Sequence, residues 1–302
     1  AIGTGSKAAS INSMAIGTNA QGLATNAMAI GTRANAATLD AFAAGLEATA
    51  NGTNATALGM LSVSSGTNSF AVGSIANAAS ANTIAFGTNS SASAQNAMAV
   101  GTDAIASGND AIASGVGSLA NKRKSIAFGP FARATGIQSM ALGSSANASG
   151  NGALAAGSLS KANGLNSIAI GSNAYATGND AFTAGFNSAA TSDNALALGS
   201  SAIASGISSY AAGLQANASG DNSMALGTRS TSSSTDSWAA GFNAKASGRN
   251  ATALGSGSIA NSTDAFAAGV QAKALAENAS SFGTSANASG IDSQAVGYFL
   301  SL

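Results

Sequence analysis

The chain has 302 residues, 11 basic against 11 acidic side chains, and neither Cys nor His. That excludes a disulfide framework, a thiol or imidazole catalyst and a Cys-based metal site, and a net charge of zero gives no steering toward nucleic acid or an anionic membrane. Charged residues are 7% and aromatics 5%, while hydrophobic residues reach 45%. This is too apolar for a solvated linker and too poor in large side chains for a thick core, so the interior should be thin and lined by small residues.

The first well-formed element sets the pattern for those that follow. Side chains two apart on a strand share a face. In Ser13-Met14-Ala15-Ile16-Gly17-Thr18 one face therefore carries Ser13, Ala15 and Gly17, and the other Met14, Ile16 and Thr18. Ala20-Gln21-Gly22 reads as a second, shorter strand with its small residues on the same inner side. Asn12 and Asn26, and the small residues before them, supply turns. The unit then recurs every 14 residues. Gly3, Gly17, Gly31 and Gly45 begin a series that continues through Gly143 and Gly157 to Gly297, 22 glycines in strict phase with no insertion. Two residues before that glycine stands Ala in 20 of 22 repeats, with Thr183 and Ser281 as exceptions. Five residues after it stands Ala in 18 of 21, with Gly22, Ser64 and Ser232 as the others.

Each unit is thus predicted to be two short strands and two turns, one coil of a β-roll or β-helix, running as one domain over residues 1–297. If coils stack like parallel strands, the 21 spacings between Gly3 and Gly297 predict a rod on the order of 100 Å long. Residues 298–302 leave the repeat and are expected to end the roll or begin a transition to a neck or stalk. Gly and Asn recur too often for helices, and strict phase argues against disorder.

The large residues lie opposite the small-residue face. One column holds Met14, Phe42, Phe70, Met98, Phe182, Trp238 and Phe266; another holds Ile16, Val72, Phe86 and Phe282. A monomer would leave this stripe in water, so these residues are expected to form an interface between identical chains. Their volumes compensate. Phe42 is followed by Ala44, Trp238 by Ala240 and Phe266 by Ala268, whereas Thr56 is followed by Leu58 and Ser280 by Phe282. From Gly185 to Gly269 the two types alternate coil by coil, a 28-residue superperiod that reads as interdigitation of large with small.

The units Asn12-Ser13-Met14-Ala15-Ile16-Gly17, Asn166-Ser167-Ile168-Ala169-Ile170-Gly171 and Asn222-Ser223-Met224-Ala225-Leu226-Gly227 resemble the head repeat of trimeric autotransporter adhesins, of the kind named for the Yersinia adhesin. The likeness extends over nearly the whole chain. It implies an all-β fold, a left-handed parallel β-roll assembled as a homotrimer, and display on the bacterial cell surface beyond the outer membrane. It also implies attachment to extracellular matrix proteins, host cells, abiotic surfaces or other bacteria. The alternative within the same family is a passive rigid spacer projecting another binding domain. Family members carry export, stalk and anchor segments, so membrane association is expected only through segments outside these 302 residues. No signal peptide opens the chain and no apolar run approaches the length of a membrane helix.

No enzymatic activity, cofactor or metal is expected. Asp40, Asp110, Asp180, Asp236, Asp264 and Asp292 all fall in one turn column and form no carboxylate pair. Lys122-Arg123-Lys124, with Arg133 nearby, reads as a solvated turn. Thr4, Thr18, Thr32, Thr88 and Thr102 share a column, but Leu46, Met60, Val116, Pro130 and Phe186 interrupt it, which argues against an ice-binding array. For ligand binding the resemblance points to Asn12, Ser13, Asn68, Ser69, Asn166, Ser167, Asn222 and Ser223. The competing reading makes them builders of turns and interior. The variable outward column, with Arg133, Lys161, Tyr175 and Lys245, is physically more available.

Overall fold

A residue that stacks on its own equivalent 14 positions later must have a backbone that closes a full circuit in 14 residues. The computed structural model, which describes residues 1–298, shows how. Each coil has a three-residue strand such as Met14–Ile16 and a two-residue strand such as Gln21–Gly22. All pairing is parallel and offset by one repeat: Met14 lies beside Met28 and Ile16 beside Ile30, and Lys7 beside Gln21. The amide of Met14 donates to the carbonyl of Ala27 at 2.8 Å, and that of Gly17 to Ile2 at 2.8 Å, so within a unit a coil is bonded to the coils beside it. No strand pairs antiparallel among the described residues, and the fold is a parallel β-solenoid. The expected transition at 298–302 falls, beyond Tyr298, outside the described residues.

The chain forms two compact units, Ala1–Gly152 and Ala153–Leu302. The first contains the strands from Lys7–Ala8 to Asn147–Ala148. The second contains those from Leu154–Ala156 to Gln294–Val296. Both repeat the same coil.

Both turns of a coil close with a bond from the fourth residue to the first, Ser13 to Ser10 and Ala20 to Gly17, each 3.2 Å. In each the third residue has positive φ, 54° at Asn12 and 56° at Asn19. That is the position a type II turn gives to Gly or Asn, which explains the Asn and Asp of the Asn12 column. The phase glycine answers a different demand. Gly17 has φ of 129°, and a Cβ there would lie 2.5 Å from the carbonyl oxygen of Gly31. Any side chain would collide with the next coil's backbone.

The core is made of alanine. Ala15, Ala20, Ala29 and Ala43 are fully buried, and the bulkiest fully buried side chains are Thr83 in the first unit and Thr183 in the second. Burying a methyl contributes only about 0.8 kcal/mol, so the ladder of backbone hydrogen bonds within each unit carries an unusual share of the order. The polar exceptions in the columns of Ala15 and Ala36 are paired. Ser64 meets Ser69 at 2.6 Å, Ser232 meets Ser237 at 2.6 Å, and Thr183 donates to Ser188. Ser281 donates to the carbonyl of Ala286 at 2.8 Å. In these two columns a hydroxyl in place of Ala brings its own partner, as burial favours.

Candidate functional site

A coil with an alanine interior has two outward sheet faces and two turns, and every side chain able to act on another molecule lies on one of these. The face of the long strand is apolar. Met14, Phe70 and Phe86 in the first unit and Trp238 and Phe282 in the second are exposed on the single chain. Ile16, Phe42, Val72 and Met98 in the first unit, and Phe182 and Phe266 in the second, are half-buried by neighbouring rungs. The volume compensation appears as register. Phe42 sits beside Thr56 while Ala44 sits beside Leu58. Trp238 sits beside Thr252 and Ala240 beside Leu254. In the last such pair the rings of Phe266 and Phe282 lean together, centroids 5.2 Å apart, over the space left by Ala268 and Ser280.

The turns explain the Asn-Ser pairs. Asn12, Asn68, Asn166 and Asn222 are exposed residues with positive φ, and their amides point along the stack. Asn12 donates to Asn26 at 3.2 Å and Asn68 to Asn82 at 3.3 Å. Asn166 donates to Asp180 at 3.1 Å and Asn222 to Asp236 at 3.2 Å. Their serine neighbours face inward. Ser69 and Ser167 are buried and donate to the carbonyls of Gly66 and Gly164, at 2.6 and 2.8 Å. Ser13, half-buried, donates to Ser10 at 2.8 Å, and Ser223 is buried with no partner for its hydroxyl.

These amides form ladders of fixed polarity, a feature the sequence reading missed. Asn54, Asn68, Asn82 and Asn96 donate in succession, the last to Asp110 at 2.9 Å. Asn26 ends on Asp40 at 2.8 Å, Asn250 on Asp264 at 2.9 Å and Asn278 on Asp292 at 2.9 Å. A carboxylate accepts but cannot donate, so each Asp terminates a run. The signal was available: every Asp of this column follows an Asn 14 residues earlier.

The face of the short strand is polar. Arg133, Lys161, Tyr175 and Lys245 are exposed on it. Lys161 and Tyr175 are register partners, with the ammonium 5.6 Å from the ring centroid. All 11 acidic residues lie in turns, whereas this column holds Lys7, Arg133, Lys161, Lys245 and Lys273 and no acid. Among the described residues the only ion pair is Arg33 with Glu47, 2.8 Å apart on adjacent turns. No group of three His, Cys, Asp or Glu suited to a metal occurs among them. The arrangement offers extended surfaces rather than a cleft with converging reactive groups.

The family model described as YadA head domain repeat (2 copies) matches residues 1–20, 24–48, 39–62, 64–90, 92–118, 106–132, 120–146 and 134–160. It matches 162–182, 204–230, 232–258 and 260–286 as well. Among solved structures, the collagen-binding domain of the Yersinia adhesin YadA is 29% identical, covering 49% of this chain and 68% of that one, with a TM-score of 0.29. No curated protein matches the chain.

Proposed function

The chain belongs to the family of YadA head repeats, and from that membership we propose that it works as the head of a homotrimeric surface adhesin, attaching cells by many weak contacts. The observation that carries this is the apolar long-strand face. It is uncharged, runs through each unit, and is patterned in size from rung to rung. Water does not select for such a pattern, but close packing against another surface does. Identical chains around a threefold axis bury the three faces against one another, with Met14, Ile16, Phe42, Phe70, Val72, Phe86 and Met98 at the seam of the first unit. Phe182, Trp238, Phe266 and Phe282 play the same part in the second. The left-handed winding, exposure on the bacterial surface and absence of catalysis belong to the same reading.

The partners that fit are extracellular matrix proteins, including collagen, and host-cell or abiotic surfaces. Avidity over three chains and many trimers compensates for modest single contacts. The experiment is binding of the purified head to immobilised matrix proteins, cells and plastic, with the oligomer's mass measured on the same preparation by light scattering. The expected result is a mass three times that of the chain and saturable binding to at least one surface. A trimer that binds none of them makes the head a spacer; a stable monomer overturns the assembly.

A further inference from the structure

One coil breaks the pattern of its turn. Elsewhere in the first unit the turn before the long strand holds no basic residue and reads, for example, Gly52-Thr53-Asn54, Gly108-Asn109-Asp110 or Gly136-Ile137-Gln138. At the corresponding place stands Lys122-Arg123-Lys124, and the same coil puts Arg133 on the short-strand face. Four of the chain's 11 basic residues thus fall between 122 and 133.

The backbone is the same as in the other turns. Ser125 donates to the carbonyl of Lys122 at 3.1 Å, Lys124 to Asn109 at 2.8 Å and Gln138 to Arg123 at 2.9 Å. Lys124 has φ of 56°, a conformation that favours Asn or Asp over Lys. The three side chains add nothing to the fold. Lys122, Arg123, Lys124 and Arg133 are exposed, and none of their charged groups makes a hydrogen bond or ion pair in the structure. Asp110, one rung from Lys124, accepts instead from Asn96 at 2.9 Å. Arg133 pairs in register with Leu119, which precedes Lys122 by three residues. A local rule broken with no structural compensation marks a place kept for something else.

We propose that this turn, with Arg133, is a binding site for a sulfated polysaccharide. Unpaired cations at an edge attract a polyanion by charge, and clusters of Lys and Arg suit sulfate groups on a flexible chain, the nearby Asp110 carboxylate being taken up by Asn96. The exposed residues Asn109 and Asn121 flank the cluster and bring amides suited to sugar hydroxyls. Nucleic acid fits less well. The cations occupy one edge, no element projects to enter a groove, and no aromatic side chain stands in this turn for a base to stack on. The site adds a charge-based contact to the adhesin reading. It stands on one coil of one chain and does not need the trimer.

The test uses the full chain and heparin as probe. The triple variant Lys122→Gly, Arg123→Thr, Lys124→Asn restores the turn found at residues 52–54, so it should fold as before. Arg229→Gln with Arg249→Gln, both exposed in turns of the second unit, removes two cations as a control. The full chain is expected to bind heparin at about 50 mM salt and to release it by about 200 mM, as a charge-based contact does. The triple variant should lose about tenfold or more in Kd, a difference well outside the error of a binding assay, and the control less than twofold. Equal binding by the triple variant, or no binding by the full chain, overturns the site. Undiminished binding to desulfated heparin, or tighter binding to a DNA duplex, overturns the ligand class. Oligomer mass on the same samples separates these outcomes from failure of the adhesin assembly.

Discussion

The two outward faces of a coil are built from the same backbone and stand on the same alanine interior, yet they have opposite characters. Phe86 and Phe128 on the long-strand face of the first unit are exposed by 51% and 60% on the single chain, and no charged residue occurs in either outward column of that strand. The short-strand face carries Lys7 and Arg133 in the first unit and Lys161, Lys245 and Lys273 in the second. A solenoid that stood alone would have no reason to distinguish its sides. The difference teaches that the two sides meet different surroundings, and it is the difference that the proposed assembly requires. A single chain needs lysines on exposed sheet surface to discourage unwanted association, and their absence from the long-strand face is the complement of that rule.

The most severe way to break this comparison is to put charge on the apolar side. Phe70→Asp with Phe86→Asp should abolish assembly, because each removes a large side chain worth about 1.5–3 kcal/mol on burial and leaves a carboxylate facing its copies. Light scattering should find the mass fall to that of one chain while circular dichroism keeps its β signal. Arg133→Ser, on the other face, should leave the mass unchanged. If both variants keep the assembled mass, the long-strand face is not the interface.

A second test sharpens the distinction between inside and outside within a single two-residue strand. Ala50 is fully buried and its neighbour Thr49 faces outward on the short-strand side. Ala50→Leu should cost about 1–3 kcal/mol by overfilling the interior, and Thr49→Leu should stay within about 0.5 kcal/mol of the parent. Denaturant titration of the two variants compares them directly. Equal losses would mean that the alternation of faces has been misassigned.

Much of this architecture was legible in the sequence because the coil has no freedom to vary. Gly17 and its equivalents have no room for a side chain, and Ala15 and Ala29 face an interior with space for a methyl. Each demand leaves its own column of one residue type. The second turn was counted, but where its backbone takes positive φ was not legible, for the converse reason. Its positive-φ position holds Asn19, Arg33, Glu47, Leu61, Ile75 and Phe131 in successive or later coils. The preceding phase glycine and the stacked neighbours impose the turn, so side-chain identity carries no record of it. The serines of the Asn-Ser pairs were ambiguous because a hydroxyl serves equally for contact outside and hydrogen bonding inside. Ser69 and Ser167 are inside, their bonds to Gly66 and Gly164 visible only in three dimensions.

The smallest expected effect concerns the turn ladders that keep the two faces on their own sides, because a slip of one residue in register would exchange inward and outward side chains. Asn26 donates to Asp40 at 2.8 Å, and no Asp of this column follows another Asp. Asn26→Asp breaks that rule by setting two carboxylates on adjacent rungs, about 4.8 Å apart along the stack. Like charges directly opposite on paired strands cost roughly 0.2–1 kcal/mol, and the lost amide donor adds to this. Repulsion makes protonation easier in the folded state than in the unfolded one, so the pair's folded pKa is raised. The destabilisation is therefore present at neutral pH and fades as pH falls through the carboxylate range, near 4. Asp40→Asn is the reciprocal change. It removes the terminator and gives residue 40 a donor for Asn54 on the next rung, so the ladder from Asn12 joins the one that ends at Asp110. Thermal unfolding at pH 7 and pH 4 should show Asn26→Asp lowering Tm more at the higher pH, and Asp40→Asn holding or raising it at both. A Tm loss of equal size at both pH values would mean that the carboxylates do not meet and that the order of Asn before Asp has no electrostatic origin.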